Sequence, residues 1–259
     1  MIMRRKLFML TLSMALILGL ALSASASWGP YVAQSVGKGN TVTIDGDLSE
    51  WRGAPGIRLG TDQAQVVRGT EWKDAKDASA TVYMRWNKDY LLLAADVTDD
   101  IGALSPGRID NGDSVGITID IFNGSRPDLH PFLIEMTPYP PNGDWSKAVY
   151  FRYATIWQVL SSNTVVRAQK KADGSGYYLE AAIPFSDLTR DGKTLDPVAD
   201  RSVFFALILT DCDDGSTRKT VLQNTRTSWN PVSNWYSKPE EFTSLIFRGD
   251  GSGEVKIAD

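Results

Sequence analysis

The 259-residue chain has one cysteine, Cys212, and one histidine, His130. These scarcities exclude an internal disulfide, a Cys–His catalytic pair, a two-histidine metal site and a zinc knuckle. No basic stripe is present and the formal net charge is −4, which argues against a nucleic-acid partner. Walker and Rossmann glycine fingerprints are missing, so nucleotide chemistry has no phosphate cradle. Convincing helical periodicity is missing too; the best helical stretch is a single turn near Ser186-Asp-Leu188. Hydrophobic residues make up 42% and charged residues 22%, the ordinary proportions of a globular chain rather than a disordered one. Carboxylates, aromatics and amides remain as the groups able to do chemistry.

The one long apolar run lies at the N-terminus. Arg4, Arg5 and Lys6 precede a stretch from Leu7 to Leu22 broken only by Thr11 and Ser13, and Ala24-Ser25-Ala26 follows. Positive, apolar and small-residue regions in that order predict a signal peptide over residues 1–26, cleaved after Ala26. The run is short for a membrane span of about 20 residues, so no span is expected after cleavage. The expected location is secreted or periplasmic. Residues 27–40, containing Gly and Ser, read as a flexible lead, and residues 41–259 as one domain without a linker or internal repeat.

Within that domain the pattern is β. Thr41–Ile44 alternates and ends at Asp45-Gly46. Ala80–Trp86 places Val82, Met84 and Trp86 on one face, and after the polar turn Asn87-Lys-Asp89 the run Tyr90–Val97 is almost continuously apolar, as in a strand buried on both faces. Ser114–Ile121 alternates, with Val115, Ile117, Ile119 and Ile121 facing one way. Phe132–Met136, Val149–Tyr153, Phe204–Thr210 and Ser244–Phe247 are further candidates, and Asp173-Gly-Ser-Gly176 joins Thr164–Gln169 to Tyr177–Ile183 as a hairpin. About ten strands joined by turns rich in Gly, Pro, Asn and Asp predict an all-β fold, an antiparallel sandwich of jelly-roll or immunoglobulin-like type.

All eight tryptophans follow the N-terminal run. Trp86 fits a core position and Trp51 a plug at one end of the sandwich. Trp72, Trp145, Trp229 and Trp235 sit in polar loop context, where an exposed indole is costly unless a partner covers it. The segment Thr227-Ser-Trp229-Asn230-Pro231-Val-Ser-Asn234-Trp235-Tyr236 gathers aromatics and amides. Flat apolar ring faces suit the C–H faces of a pyranose, while amides and carboxylates suit its hydroxyls.

Several segments, taken in order, resemble family 9 carbohydrate-binding modules. Ile44-Asp-Gly-Asp-Leu-Ser-Glu-Trp51 is similar to the opening I-D-G-x-L-x-E-x-W motif, and Val82–Leu93 to the hairpin that follows. Asp96-Val-Thr-Asp99 fits D-x-x-D, Asp113–Asp120 resembles D-S-V-E-I-F-L-D, and Phe132–Pro138 resembles F-x-x-E-V-N-P. Tyr178–Leu188 resembles W-x-x-E-x-A-I-P-F-S-x-L, and Trp229 with Glu241–Phe247 fits the closing segment. The resemblance runs from Thr41 to about Phe247 and implies a β-sandwich that holds a poly- or oligosaccharide without catalysis, beside a separate glycoside hydrolase. It implies that Trp235 stacks on the sugar, that Trp229 and Tyr236 extend the platform, and that Asn230, Asn234 and Glu135 take hydroxyls. Two positions depart from the pattern: Pro106–Gly112 holds no aromatic for a second stacking face, and Gly116 stands where a carboxylate is expected.

Calcium takes about six to eight oxygen ligands, and the Asp-rich turns offer them. Asp96, Asp99 and Asp100 cluster after a buried strand, near Asp110 and Asp113, and Asp211-Cys-Asp-Asp-Gly215 forms a second cluster. The family resemblance also implies structural calcium, for which Asp96, Asp99, Asp100 and Asp113 are the expected ligands. A glycosidase would need two carboxylates roughly 5 to 9.5 Å apart across a cleft; Glu135 and Glu180, in strand patterns, are the candidates. The alternative is an exported haem b subunit, since relatives of this sandwich bind haem through Met with Lys or His. Met136, His130, Lys170, Lys171 and Lys219 are the available ligands. A structural or assembly role is the third reading.

Overall fold

The computed structural model describes residues 29–61, 65–68, 71–103, 109–154, 158–199, 201–216, 220–224 and 241–258. The expected signal segment lies outside them. In chain order the strands are β1 (Tyr31–Ser35), β2 (Thr41–Ile44), β3 (Gly56–Leu59), β4 (Val66–Arg68), β5 (Ala78–Trp86), β6 (Tyr90–Asp99), β7 (Ser114–Asp120), β8 (Phe132–Met136) and β9 (Val149–Tyr153). They continue with β10 (Val165–Lys170), β11 (Gly176–Pro184), β12 (Thr189–Arg190), β13 (Lys193–Thr194), β14 (Ser202–Asp211), β15 (Thr220–Gln223), β16 (Thr243–Arg248) and β17 (Glu254–Ile257). No α-helix occurs among the described residues, and no helix there is long and apolar enough to cross a membrane.

The strand order β10-β11-β6-β5-β1-β16-β14-β7-β8-β9 folds over at β1 into two layers. Alternation explains the first layer. Ala78, Ala80, Val82, Met84 and Trp86 of β5 are buried while Ser79, Thr81, Tyr83 and Arg85 are partly exposed. The continuous apolar run of β6 serves two interiors. Leu91, Leu93, Ala95 and Val97 join the main core, and Leu92 and Ala94 join a smaller cluster with Val42, Ile44, Trp51 and Ala182 on the outer face. In the second layer every residue of β7 and β8 is buried. Ile117, Ile134 and Leu207 point into the main core; Leu133 and Ile208 point to the far side.

The antiparallel sandwich agrees with the sequence pattern, with one correction at its start. The stretch read as a flexible lead contains β1, which pairs in parallel with both β5 and β16 and so bridges the layers. Trp51 is also placed differently from an end plug. It lies under the β2–β17 ribbon on the outer face of the first layer, and its indole N–H donates to Glu180 at 2.6 Å. The hairpin turn at residues 173–176 joins β10 to β11 as expected. Gly176 there has φ +132, and a Cβ on it would strike the Val97 carbonyl of the neighbouring strand.

Candidate functional site

Trp229, Asn230, Asn234, Trp235 and Tyr236 lie outside the described residues. Glu135 is described, and its surroundings define a face. The register places Gln223, Ile208, Gly116, Glu135 and Tyr150 in one row across β15, β14, β7, β8 and β9. The neighbouring row holds Ala206, Thr118, Leu133 and Arg152. Both rows are on the side of the second layer facing away from the main core.

That face is polar in an unusual way. Gln223, Glu135 and Thr118 are fully buried, and Arg152 nearly so. Among the described residues, both amide atoms of Gln223 and the Thr118 hydroxyl have no hydrogen-bond partner. Asn224, the residue after Gln223, lies on the opposite side beside Leu207, whose N–H donates to its Oδ1 at 2.5 Å. Leaving a buried polar group unpaired costs about 1–3 kcal/mol, and native structures rarely keep several side by side. Gly116 lets its neighbours close in on the middle of the row. A Cβ there would come within 3.1 Å of the Glu135 Cγ and of the Ile134 carbonyl. Sequence reasoning missed Gln223, Thr118 and Arg152, because their common face exists only once five strands are in register.

Trp72 and Trp145 are half-buried against the main core, and the Trp72 indole donates to the Ala78 carbonyl. Glu135 and Glu180 fall on opposite outer faces, with the main core between them. Two carboxylates facing apart across two layers about 10 Å apart cannot flank one glycosidic bond.

The acidic residues regroup. Carboxylate oxygens of Asp99, Asp113 and Asp211 lie within 4.8 Å of one another, and all three residues are buried. Asp99 ends β6, Asp211 ends β14, and Asp113 immediately precedes β7, so the two layers bring them together at one end of the sandwich. Asp113 accepts from the Cys212 N–H at 2.8 Å and the Ala103 N–H at 2.5 Å, while one oxygen of Asp211 has no partner among the described residues. The Tyr177 hydroxyl, also buried and without a partner, senses the same charges. Burial foremost, and then neighbouring carboxylates, push Asp99 up to about 6, Asp113 to about 9 and Asp211 to about 8.

Asp100 turns the other way and joins Asp77 and Asp213 in a second triad, where Lys73 donates to Asp77 at 3.0 Å. Asp96 belongs to neither group: it lies on the outer face of the first layer and pairs with Lys171 at 2.6 Å. Its inclusion among the metal ligands is therefore corrected by strand alternation, which sends Asp96 and Asp99 to opposite sides. Oxygen-only donors and a surplus of buried negative charge fit a hard cation such as calcium.

Among the described residues, the candidate haem ligands Met136 and His130 do not converge. Met136 is fully buried in the main core and His130 is a half-buried residue before β8, about 20 Å away along extended chain. Lys171 is paired with Asp96, the Lys170 ammonium lies 5.9 Å from the Tyr139 ring centre, and Lys219 lies outside the described residues.

Residues 44–249 match the family described as carbohydrate family 9 binding domain-like. The chain belongs to that family. A family 9 carbohydrate-binding module from Caldicellulosiruptor kristjanssonii, solved with cellotriose, aligns with TM-score 0.58 at 16% identity, covering 85% of this chain and 93% of that one. The same organism's module with glucose gives TM-score 0.55 at 17% identity over 84% and 96%. Among curated proteins, Exoglucanase XynX of Acetivibrio thermocellus is 25% identical over 219 residues, 83% of this chain and 17% of that protein. Endo-1,4-beta-xylanase A of Thermoanaerobacterium saccharolyticum is 25% identical over 180 residues, 69% of this chain and 14% of that one. The chain thus spans less than a fifth of either curated relative. This family 9 domain has its matched span beginning after β1 and covering both the Gly116 face and the acidic cluster.

Proposed function

We propose that the chain is an exported, non-catalytic carbohydrate-binding module whose Gly116 face receives saccharide hydroxyls. The observation that carries the reading is the Gln223 amide, fully buried without a partner among the described residues, in one row with Gly116 and the Glu135 carboxylate. Gln223 supplies donor and acceptor together, as a vicinal diol requires, Glu135 supplies an acceptor, and Thr118 extends the set. The face is sealed from water, so sugar entry requires the cover over it to open. Trp235 supplies the stacking ring, with Trp229 and Tyr236 beside it and Asn230 and Asn234 as further amides. Lacking an aromatic between Pro106 and Gly112, the site grips one face of the sugar. Asp99, Asp113 and Asp211 hold a structural calcium that replaces their protons, and a separate glycoside hydrolase acts on the bound polysaccharide. The test is calorimetric titration with cello- and xylo-oligosaccharides. Gln223→Leu, close in volume, should weaken binding about tenfold or more, the effect of losing paired polar contacts; unchanged affinity in this variant and in Trp235→Ala would refute the assignment.

A further inference from the structure

The opposite outer face, formed by β3, β5, β6 and β11, is covered over only part of its length. Trp51, Val42 and Ile44 close one half over Leu92, Ala94 and Ala182. Beyond Trp51 the strands lie open. There Tyr83 and Tyr178, both half-buried, flank Asp96. Tyr178 is directly opposite Asp96 in the register, and Tyr83 is opposite Ala94, two residues away. A hollow of about 240 Å³ is lined by these three residues with Trp51, Arg52 and Asp47. A second hollow of about 290 Å³ shares Asp96 and continues over Thr81 and Arg58 to Lys171.

We propose that this cleft is a second saccharide-binding site, separate from the Gly116 face, which takes a neutral oligosaccharide laid across the strands. The inference rests on the carbohydrate-binding reading of the chain. Two tyrosine rings line it together with carboxylate, guanidinium and hydroxyl groups, the combination that engages both the C–H faces and the hydroxyls of a sugar. Lys171 neutralises Asp96 at 2.6 Å and lies 5.4 Å from the Tyr178 ring centre, so the central carboxylate can accept a hydroxyl without demanding a cationic ligand. One wall is fixed in advance. Glu180 accepts from the Trp51 indole at 2.6 Å and from the Asp45 and Gly46 N–H groups at 2.9 and 2.7 Å, which sets the turn carrying Asp47 and Arg52. A protein partner fits the cleft less well: none of the exposed large apolar residues, Ile101, Val159, Val198 and Ile257, lines either hollow.

The experiment is an NMR titration of the full chain with cellotriose and with xylotriose, following the amides of Asp96 and Tyr178 on one face and of Gly116 and Glu135 on the other. The expected result is saturable shifts at both faces. Tyr178→Ala, with Tyr83→Ala as the second variant, should weaken the Asp96-side response about tenfold and leave the Gly116-side response intact. Tyr178→Phe, which keeps the ring, should retain binding and shows that the fold tolerates the position. Shifts confined to the Gly116 face, or an Asp96-side response indifferent to Tyr178→Ala, overturn the second site while the first stands. Shifts confined to the Asp96 side uphold it and overturn the first; no shifts with either sugar overturn both.

Discussion

Glu180 and the Asp99–Asp113–Asp211 triad are all carboxylates removed from water, yet they are answered differently. Glu180 meets three N–H donors, from Trp51, Asp45 and Gly46, and through them ties the first turn of the family 9 domain to β11. The triad gathers three carboxylates within 4.8 Å and leaves one oxygen of Asp211 and the nearby Tyr177 hydroxyl without partners. The first site is complete within the chain. The second carries more negative charge than its donors can balance, and at such spacing in a dry interior either protons or a cation must make up the difference.

Removing the completed site should have the largest effect. Glu180→Ala strands two buried donors, the Trp51 indole and the Gly46 N–H, besides the partly buried Asp45 N–H, at about 1–3 kcal/mol for each buried one, so a loss of roughly 3 kcal/mol or more is expected in denaturant unfolding, equal with and without calcium. A loss that depends on calcium would erase the distinction between the sites.

The triad should behave in the opposite way. Calcium at about 100 times its dissociation constant adds about 2.7 kcal/mol, a rise in melting temperature of roughly 5–10 °C for a domain this size. Scanning calorimetry with calcium and with a chelator reads it. The pH dependence carries its own sign. In the absence of calcium the folded-state values of about 6, 9 and 8 for Asp99, Asp113 and Asp211 lie above the ordinary value of about 3.9. The folded chain therefore holds protons that the unfolded chain releases. Stability from these groups is full below about pH 4 and is lost as pH rises through about 6 to 9. Calcium displaces those protons, so its stabilisation should grow over the same interval. Glu180, pushed up to about 7 by burial, adds a fall of the same sign that calcium does not touch. A chelated chain whose stability rises between pH 6 and 9 would contradict the acidic grouping.

The contrast also explains what was legible in the sequence. The boundaries of β2, β8 and β9 follow directly from apolar alternation ended by turn residues, and β5–β6 and β10–β11 follow from their hairpin turns. Strand β1 escapes this logic: Tyr31–Ser35 is short, sits between glycine-bearing segments, and is held by parallel partners distant in sequence. Neighbourhood in sequence grouped Asp96, Asp99 and Asp100, but a strand sends alternate side chains to opposite faces. The triad instead draws Asp211 from a cluster more than a hundred residues away. Glu135 was visible through its motif, whereas Gln223 and Thr118 had no signal before the register of β15, β14, β7 and β8 aligned them.

The smallest structural change probes the Gly116 face, which like the triad contains groups left without partners. Gly116→Ala adds one methyl group in a strand without a left-handed backbone requirement, at 3.1 Å from the Glu135 Cγ and 3.5 Å from the Ile208 Cβ. Glycine in a strand interior is itself unfavourable by roughly 0.5–1 kcal/mol, and the crowding offsets a similar amount, so stability should move by less than about 1 kcal/mol. Sugar affinity should fall all the same, because the methyl displaces the Glu135 side chain that lies against Gly116 and is proposed to accept a hydroxyl. Equal affinities for the variant and the parent chain, measured with cellotriose at matched stability, would show that the glycine is a packing accommodation for Glu135. The saccharide would then have to reach the chain through its loop aromatics alone.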